Sequence, residues 1–459
     1  MQRLNGRAIR RAAAVLLAVT VSWAASPAVA ARDEPGFIAG AARVEVSVPP
    51  GTPLGGYGGF PRRAWLPDVL GRHPYAFWFR PSTGVHDPVV VRSVLLESGT
   101  ARLLWLAVDL VAIDPTLLTA VRERLARRGL DYSAVIISAS HTHSGPGAYA
   151  DSALFGFLAI DRMAPAVRDR LLEAFEEAAR GAEASKARAR VASGWTEVRG
   201  IATSRVQGAL DPELGMVKIV GADARPIAAI WNYAIHGTAL GRDNFLLSGD
   251  LMGEANARIE RAIGAPALFV NGAVGDVSPG PRGWTGVQTA GQALAAGALR
   301  AWERATFEPA GLRIMTERVS LPSPRVALRN CLDGWAPAWM TIGLSEALPS
   351  STQVSAFRIG RTGWVTIPGE LETRLGLEIK AREKPRFDHV FVAGVSDDYL
   401  GYFLVPEHYR RPSYIACASL YGERGGEILR EAATVALDRV SEANPLPRGG
   451  VGARRRVAP

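Results

Sequence analysis

The chain has 459 residues, of which 48% are hydrophobic and 21% are charged. This composition excludes an intrinsically disordered protein, and the length is sufficient for a large hydrophobic core. The formal net charge is +9, but four arginines within residues 1–30 and four after Asn444 account for most of it. Because the excess charge lies at the two ends, we do not expect the body of the chain to bind nucleic acid.

Residues 1–30 have the pattern of a secretory signal peptide. Four arginines precede or flank the apolar run 12–25, and the small residues Ala28 and Ala30 provide a cleavage site. The run is too short for an ordinary transmembrane helix, and no later run is long enough. We therefore predict an exported protein, periplasmic or secreted, with a signal peptide at 1–30, a folded domain at 31–443 and a basic disordered tail at 444–459.

Between these ends, segments of strand pattern alternate with segments of helix pattern. Apolar runs typical of strands begin at 42 and occur at 89–98, 102–113, 134–140, 195–200, 215–221, 226–234, 267–273, 354–360, 363–368 and 389–395. Helices are predicted at 116–128, 164–180, from 250 onward, and at 286–302, 370–382 and 427–440. Such alternation predicts an α/β fold with mixed sheets flanked by helices, in a single large domain.

The stretch ISASHTHSGPGAY, residues 137–149, is the most informative part of the chain. His141 comes directly after the predicted strand 134–140, and His143 follows two positions later, so both side chains point to one side of the sheet. Imidazole is the commonest metal ligand and the commonest acid–base group at neutral pH. On its own, the pattern fits equally well two histidines that are hydrogen-bonded to backbone at a strand end.

Three further polar residues follow predicted strands. His236 comes after strand 226–234, Ser278 lies in a Gly/Pro-rich loop after strand 267–273, and Glu370 lies where a strand is expected to meet a helix. Functional groups of α/β proteins collect at the C-terminal ends of strands. Each residue also has a structural interpretation: a buried turn histidine, a turn-forming serine and an acid that favours a helix dipole.

Two other features leave alternatives open. The aromatic segment HPYAFWFRP, residues 73–81, is either a loop folded onto the body or an apolar rim for a lipid-like substrate. Cys331 and Cys417 are either a disulfide, which an oxidising compartment allows, or an incidental pair of buried thiols.

Nine short motifs follow one another along residues 37–440. They are TPLGGYG (52–58), GVHDP (84–88), SHTHSGPG (140–147), HGT (236–238), SGD (248–250), GDVSP (275–279), PGE (368–370), DYLGY (398–402) and ASLYG (418–422). In this order they resemble the catalytic N-terminal domain of the neutral (non-lysosomal) ceramidase family. The resemblance implies a zinc-dependent amidase that hydrolyses the N-acyl bond of ceramide to sphingosine and a fatty acid.

The resemblance also implies a metal site. One Zn²⁺ per chain would be bound by His141, His236, Glu370 and Tyr402. Within DYLGY, Tyr402 is preferred to Tyr399 as the tyrosine ligand. Two imidazoles and one carboxylate with an open position are the donor set of a catalytic rather than a structural zinc site.

The same resemblance assigns the catalytic roles. Ser278 would be the active-site serine, either as a nucleophile or as a group that orients substrate and water, and His143 would relay a proton. Tyr414 and Arg205 would stabilise the developing oxyanion. Two departures from the family pattern are expected: no C-terminal β-sandwich domain, and Thr203-Ser204-Arg205 where an Asn-Arg pair is usual.

The sequence therefore predicts an exported zinc amidase for ceramide or a related N-acyl lipid. One alternative is a zinc hydrolase of another amide or an ester, and another is a non-catalytic envelope binding protein with the same fold. The expected partner is a small amphiphilic N-acyl lipid, with transient contact to a membrane surface and none to nucleic acid. The sequence leaves the oligomeric state open.

Overall fold

The computed structural model describes residues 36–442, along which strands and helices alternate. The strands are β1 (Ile38–Val46), β2 (Gly84–Val85), β3 (Val89–Ser98), β4 (Ala101–Val108), β5 (Ala134–Ala139), β6 (Ala187–Glu197), β7 (Ala202–Ser204), β8 (Glu213–Gly221), β9 (Pro226–Tyr233), β10 (Leu246–Leu247), β11 (Ala267–Asn271), β12 (Val277–Pro279), β13 (Thr306–Glu308), β14 (Leu312–Ser320), β15 (Arg325–Ala327), β16 (Thr341–Gly343), β17 (Ser351–Ile359), β18 (Thr362–Thr366), β19 (Glu370–Leu371), β20 (His389–Ala393) and β21 (Tyr402–Phe403). The helices are α1 (Pro115–Arg127), α2 (Ala153–Phe155), α3 (Pro165–Ala184), α4 (Asp250–Ile263), α5 (Gly283–Arg304), α6 (Leu328–Cys331), α7 (Thr373–Glu383), α8 (Pro406–Tyr409), α9 (Tyr414–Cys417) and α10 (Gly425–Glu442), and a π-helical turn, Gly156–Ile160, follows α2.

A large mixed sheet organises the first two thirds of the domain. Its strand order is β11-β9-β8-β6-β1-β3-β4-β5, and β13 pairs with β6. β4 and β5 are parallel, as are β9 and β11, whereas the strands between these pairs are antiparallel. β11 contacts β5 although the two lie at opposite ends of this order, so the sheet curls and brings the ends of β5 and β9 together.

A second sheet, with the order β14-β17-β18-β20, packs against the first. The indole of Trp105 on β4 contacts the rings of Phe357 on β17 and Trp364 on β18, with centroids 4.9 and 5.0 Å apart. All three side chains are fully buried, so this aromatic cluster forms the core between the two sheets.

Helices cover the outer faces of both sheets. α3 packs on β1 and β3, α5 packs on β6 and β8, and α10 packs on β14 and β17. In α3 the buried residues Val167, Leu171 and Phe175 recur every fourth position, which places them on the face toward the sheet. The result is a layered arrangement with a helical cover on each side of the paired sheets.

The prediction of an α/β fold with mixed sheets and flanking helices is confirmed. The predicted start of the helix at 370 is wrong: Glu370 lies on β19, which pairs with β21, and α7 begins at Thr373. The predicted signal peptide at 1–30 and tail at 444–459 lie outside the described residues. Among residues 36–442, no helix combines the length and the hydropathy needed to cross a membrane.

Candidate metal centre

Two histidine-containing segments run side by side at the ends of β5 and β9. A parallel bridge joins Thr142 to Gly237, and the amide of His143 donates to the Gly237 carbonyl over 2.8 Å. A Cβ on residue 237 would lie 2.6 Å from the Cα of Thr142 and 2.8 Å from the carbonyl oxygen of His141. The segments therefore approach this closely only because residue 237 is a glycine, which places His141 and His236 opposite each other.

The side chain of Asn271, at the end of β11, fixes both segments. Its Nδ2 donates to the carbonyls of Ser140, at 3.1 Å, and Ile235, at 2.9 Å, the residues directly before the two histidines. Its Oδ1 accepts from the amides of Ile235 and Gly272. Asn271 is fully buried and its hydrogen bonds are satisfied within the protein, so the backbone that carries the histidines has a defined position.

Glu370 enters the site from the C-terminal part of the chain. The parallel pairing of β19 and β21 sets it directly beside Tyr402. Gly369 precedes it at φ 153°, and a Cβ there would lie 2.5 Å from the Gly401 carbonyl oxygen, so this approach also requires glycine. The amide of Gly275, in GDVSP, donates to the Leu371 carbonyl over 2.9 Å and holds β19 against that loop.

Three potential ligand atoms converge at the centre of the site. Nε2 of His141 lies 3.1 Å from Nε2 of His236. Oε1 of Glu370 lies 3.3 Å from the first nitrogen, and Oε2 lies 3.0 Å from the second. In a tetrahedral zinc site with ligand distances of about 2.0–2.1 Å, ligand atoms are about 3.3–3.4 Å apart. The observed spacing therefore fits one zinc ion held by these three side chains.

The surrounding hydrogen bonds leave the convergent atoms free to bind a metal. Nδ1 of His141 donates to the Val111 carbonyl over 2.5 Å, which leaves a lone pair on Nε2. Oε2 of Glu370 is buried and has no hydrogen-bond partner within residues 36–442. Nε2 of His236 lies 3.0 Å from this buried oxygen, and a cation between the two atoms would stabilise the carboxylate further.

The charges of these groups agree with a metal site. Burial, assisted by the positive charge of Arg205, lowers the pKa of His236 to about 3. Burial alone would raise the pKa of Glu370, but the neighbouring His141 and His236 hold it well below its usual range. A neutral imidazole beside an ionised carboxylate is the protonation state in which both side chains bind a metal.

Of the two tyrosines of DYLGY, Tyr399 contacts the Glu370 carboxylate, and Tyr402 lies beside Glu370 through strand pairing. The Tyr399 hydroxyl donates to Oε1 of Glu370 over 2.6 Å, whereas the hydroxyl of Tyr402, the predicted ligand, accepts from the guanidinium of Arg205 over 3.3 Å. Burial, followed by the negative charge of Glu370, raises the pKa of each phenol well above its usual value. Tyr399, the alternative tyrosine of this motif, is thus the one whose hydroxyl contacts the carboxylate.

His143, the predicted proton relay, lies beside the other two histidines. Its ring centroid is 5.1 Å from that of His141 and 5.8 Å from that of His236, and Tyr57 packs edge-on against it at 4.8 Å. Neither ring nitrogen has a hydrogen-bond partner in the described part of the chain. Burial, then the neighbouring imidazoles, lower the pKa of His143 well below its usual value, so the ring is neutral.

The three imidazoles form a second conceivable donor set. Their ligand atoms lie within 4.8 Å of one another. This spacing is looser than the 3.0–3.3 Å found when Glu370 replaces His143. The carboxylate-containing set therefore fits a single ion better, and His143 remains free for another role.

Arg205 and Ser278, which are 73 residues apart in sequence, form one unit beside the centre. β7 pairs antiparallel with β12, with Thr203 opposite Ser278. Nε of Arg205 donates to Oγ of Ser278 over 2.8 Å, and Nη1 of the same guanidinium donates to the hydroxyl of Tyr402. Within residues 36–442, Oγ of Ser278 has no histidine or carboxylate as a hydrogen-bond partner.

Tyr414 lies on the solvent-exposed side of the site, which we call its mouth. It is the first residue of α9, its surface is 71% exposed, and its ring lies 5.9 Å from that of Tyr402. Cys417, at the end of the same helix, forms a disulfide with Cys331. The question that the sequence left open for the two cysteines is thereby answered: they are bonded, and the bond anchors the helix that carries Tyr414.

The aromatic segment 73–81 is a loop held against the body. The amides of Phe77, Trp78 and Phe79 all donate to the carboxylate of Asp161, at 2.9, 2.9 and 3.0 Å. Phe79 is buried, and Trp78 packs edge-on against Phe157 with centroids 5.3 Å apart.

Comparison with known protein families identifies one match. Residues 72–297 match the family described as neutral/alkaline non-lysosomal ceramidase, N-terminal. The neutral ceramidase of Mycobacterium tuberculosis is 28% identical over 234 residues, which is 43% of this chain and 36% of that protein. The neutral ceramidase of Pseudomonas aeruginosa is 24% identical over 235 residues, which is 46% of this chain and 34% of that protein. The aligned region thus spans about a third of each relative.

Solved structures extend the likeness to the fold of most of the chain. The crystal structure of neutral ceramidase from Pseudomonas aeruginosa has a TM-score of 0.75 at 18% identity, and covers 89% of this chain and 75% of that chain. A structure described as ceramidase complexed with C2 has a TM-score of 0.75 at 18% identity, and covers 90% of this chain and 77% of that chain. At this level of identity the match establishes a shared fold.

Proposed function

We propose that this chain, whose residues 72–297 match the neutral/alkaline non-lysosomal ceramidase family, is a zinc-dependent amidase that hydrolyses the N-acyl bond of ceramide or a related N-acyl lipid. The observation that carries the proposal is the convergence of His141, His236 and Glu370 to 3.0–3.3 Å. The names of the relatives support the lipid substrate, although they align with this chain over only part of their length.

His141, His236 and Glu370 would hold the metal, with Tyr402 or Tyr399 as the neighbouring phenol. A metal held by these residues would supply Lewis-acid polarisation of an amide carbonyl and would lower the pKa of water in the site toward neutral. The Val111 carbonyl and the Asn271 side chain keep the donor atoms in place, because they fix the His141 ring and the backbone before both histidines.

Arg205 is placed to stabilise the negative charge that develops on the amide oxygen. Its guanidinium already donates to Ser278 and Tyr402, so it is oriented before substrate arrives. A fixed cation aimed at a developing oxyanion lowers the barrier because it needs no reorganisation during the reaction. Tyr414, at the mouth of the site, would add a second donor.

The contacts of Ser278 support a role in orienting the substrate rather than in attacking it. A serine nucleophile needs a general base within hydrogen-bond reach, as in a Ser–His pair. The partner of the Ser278 hydroxyl in the described structure is Arg205, a donor that takes no proton.

His143 is the group best placed to move a proton. Its ring is neutral, lies beside His141, and has two nitrogens without hydrogen-bond partners among the described residues. In the proposed reaction it accepts the proton that the attacking water gives up and delivers it to the leaving amine. This transfer completes the hydrolysis, because the amine leaves as a neutral group.

One observation favours a second candidate, a zinc hydrolase of another amide or of an ester. The family pattern has an asparagine before the arginine, whereas here the residue is Ser204. Its hydroxyl accepts from the amides of Val206 and Gly208 and is used to stabilise the turn. The residue before Arg205 therefore differs from the family pattern and serves a local turn, so a different set of polar contacts near the substrate would relax the substrate preference.

The test is hydrolysis of a fluorogenic N-acylsphingosine by the purified mature protein, before and after removal of metal by a chelator and after zinc is restored. We expect activity that is lost with the chelator and recovered with zinc. Bound zinc without turnover of this substrate, but with turnover of short amides or esters, would favour the second candidate. Neither zinc nor turnover would favour a non-catalytic binding protein.

We also propose that the protein is exported to the periplasm or secreted. The signal pattern at 1–30 and the disulfide between Cys331 and Cys417 support this, because disulfides persist in oxidising compartments. Fractionation of cells and N-terminal sequencing of the product test it: a cytoplasmic protein that retains its first residues would contradict the proposal.

A further inference from the structure

A hairpin near the site carries exposed apolar side chains. β15 pairs antiparallel with β16, and the connection between them contains α6. Trp335 is 90% exposed and Trp339 is 79% exposed, and Leu332 and Ile342 on the same hairpin are also more than half exposed. We call residues 325–343 the tryptophan hairpin.

Soluble proteins rarely leave such a group of large apolar side chains in water, because burying each one is worth about 1.5–3 kcal/mol. Tryptophan has in addition a specific preference for the boundary between lipid and water, where its ring is in an apolar environment and its N–H stays hydrated. Two nearly fully exposed indoles on one short hairpin therefore favour a lipid surface as the occupant of this face.

The charges around the hairpin favour an anionic lipid surface. Arg325 and Arg329 on the hairpin and Arg411 on the adjoining segment are exposed and form no ion pair within residues 36–442, whereas the neighbouring Arg410 pairs with Glu423. Asp333 is the single acidic residue of the segment 325–343. Basic side chains close to a membrane surface gain about 1 kcal/mol each from anionic lipids.

The tryptophan hairpin is attached directly to the mouth of the site. Nδ2 of Asn330 donates to the Tyr409 carbonyl over 3.0 Å, and the disulfide joins Cys331 to Cys417. Cys417 ends the one-turn helix that begins with Tyr414. A surface that binds the hairpin therefore lies beside the residue at the mouth of the site.

A second exposed apolar segment is joined to the site through different residues. In the loop 60–70, five large apolar residues are at least half exposed: Phe60, Trp65, Leu66, Val69 and Leu70. Arg62 within this loop is buried and donates to the His143 carbonyl, and its neighbour Tyr57 packs against the His143 ring. Two exposed apolar segments are thus connected to residues of the same site, one through Tyr414 and the other through His143.

We propose that the tryptophan hairpin, assisted by the loop 60–70, binds the protein to the surface of an anionic phospholipid bilayer. This contact holds the mouth of the site at the interface where a lipid substrate would be found. Binding to the bilayer is a property of the surface and does not depend on the proposed reaction; only its benefit for catalysis rests on the proposed function.

Co-sedimentation of the zinc-loaded protein with vesicles, without substrate, tests the proposal. Vesicles of phosphatidylcholine alone are compared with vesicles that contain phosphatidylglycerol. We expect the parent to bind the anionic vesicles, and Trp335→Ser/Trp339→Ser to reduce the partition coefficient by about tenfold or more. Arg329→Gln/Arg411→Gln should reduce binding to anionic vesicles and leave binding to neutral vesicles unchanged.

Trp195→Ser is the matched control, because Trp195 is 48% exposed on β6 and lies against His389, in a different part of the surface. Unchanged circular dichroism and unfolding temperature establish that each variant is folded, and Trp65→Ser/Leu66→Ser provides a second test of the same surface. Equal vesicle binding by the parent and both paired apolar variants would overturn the proposal. A parent that binds no vesicles would also overturn it. If that parent forms a dimer that the tryptophan substitutions dissociate, the face joins two copies of the chain instead.

Discussion

The two halves of the candidate site are built in different ways. The half that faces the metal consists of strand ends buried in the domain: His141, His236 and Glu370 are almost inaccessible to water. The other half is open, with Ser278 partly exposed and Tyr414 largely exposed at the mouth. In the buried half, backbone positions are fixed by sheet pairing and by the Asn271 side chain.

The open half is held by fewer connections. Tyr414 lies on a helix of one turn that is anchored by a disulfide, and Arg205, which contacts Ser278, directly follows a strand of three residues. A metal site requires ligand positions accurate to a few tenths of an ångström, which a packed sheet supplies. Groups that meet a variable substrate tolerate more freedom, so the same site combines a rigid centre with an adaptable mouth.

The strongest test of the buried half is His236→Ala. Removal of a ligand should abolish zinc binding, and activity should fall by more than about 100-fold, because changes to residues that merely support ligands already cost 10- to 100-fold. Metal content by mass spectrometry and kcat/KM are measured on the same preparation. His73→Ala, at an exposed histidine in a loop, should retain both. An active, metal-free His236→Ala protein would refute the assignment of the metal centre.

Removal of the disulfide tests how strongly this bond stabilises the open half of the site. Cys331→Ser/Cys417→Ser should lower the free energy of unfolding by about 2–4 kcal/mol, because the bond closes a long loop between residues 86 apart. Zinc content should stay at the parental level, since the metal half does not depend on this bond. Urea titration of the variant is compared with the parent in reductant, which should unfold at the same midpoint. A variant as stable as the oxidised parent would contradict this account.

Gly237→Ala tests the buried half of the site, which carries the metal ligands. The added methyl group would lie 2.6 Å from backbone of Thr142, so the two histidine segments must move apart, at a cost of about 1–3 kcal/mol in stability. Zinc affinity should fall with it, as measured by competition with a chromophoric chelator. Gly311→Ala is the control, because nothing lies within 4 Å of its added Cβ. Equal zinc affinity in both variants would show that the close approach at 237 is not needed for the site.

Arg205→Lys should have the smallest effect, confined to the open half. Lysine keeps the charge but loses the geometry in which one guanidinium donates to both Ser278 and Tyr402. We expect kcat/KM to fall about tenfold, equivalent to about 1.4 kcal/mol, with full zinc content. Arg199→Lys, at an exposed arginine paired with Glu197, should match the parent. Loss of zinc from Arg205→Lys would mean that the two halves are not independent.

Much of the fold was predictable because its signals are local. Runs such as 134–140 and 226–234 are apolar over the length of a strand, and the helices at 116–128 and 427–440 have an apolar spacing that a short window contains. The error at Glu370 is instructive: the acid at a helix start was a local expectation, whereas β19 exists through its pairing with β21, whose residues lie 32 positions later. Strand pairing over that distance leaves no trace in a local window.

The sequence by itself determined the chemical types available, the order of the motifs and the strand ends at which His141 and His236 lie. Only the tertiary structure decided that Tyr399 bonds Glu370, that Arg205 bonds Ser278, and that Cys331 and Cys417 are joined. Side-chain type and spacing are properties of the chain alone. Distances between residues tens of positions apart depend on how the curled sheet brings its ends together, and that follows from the packing of the whole core.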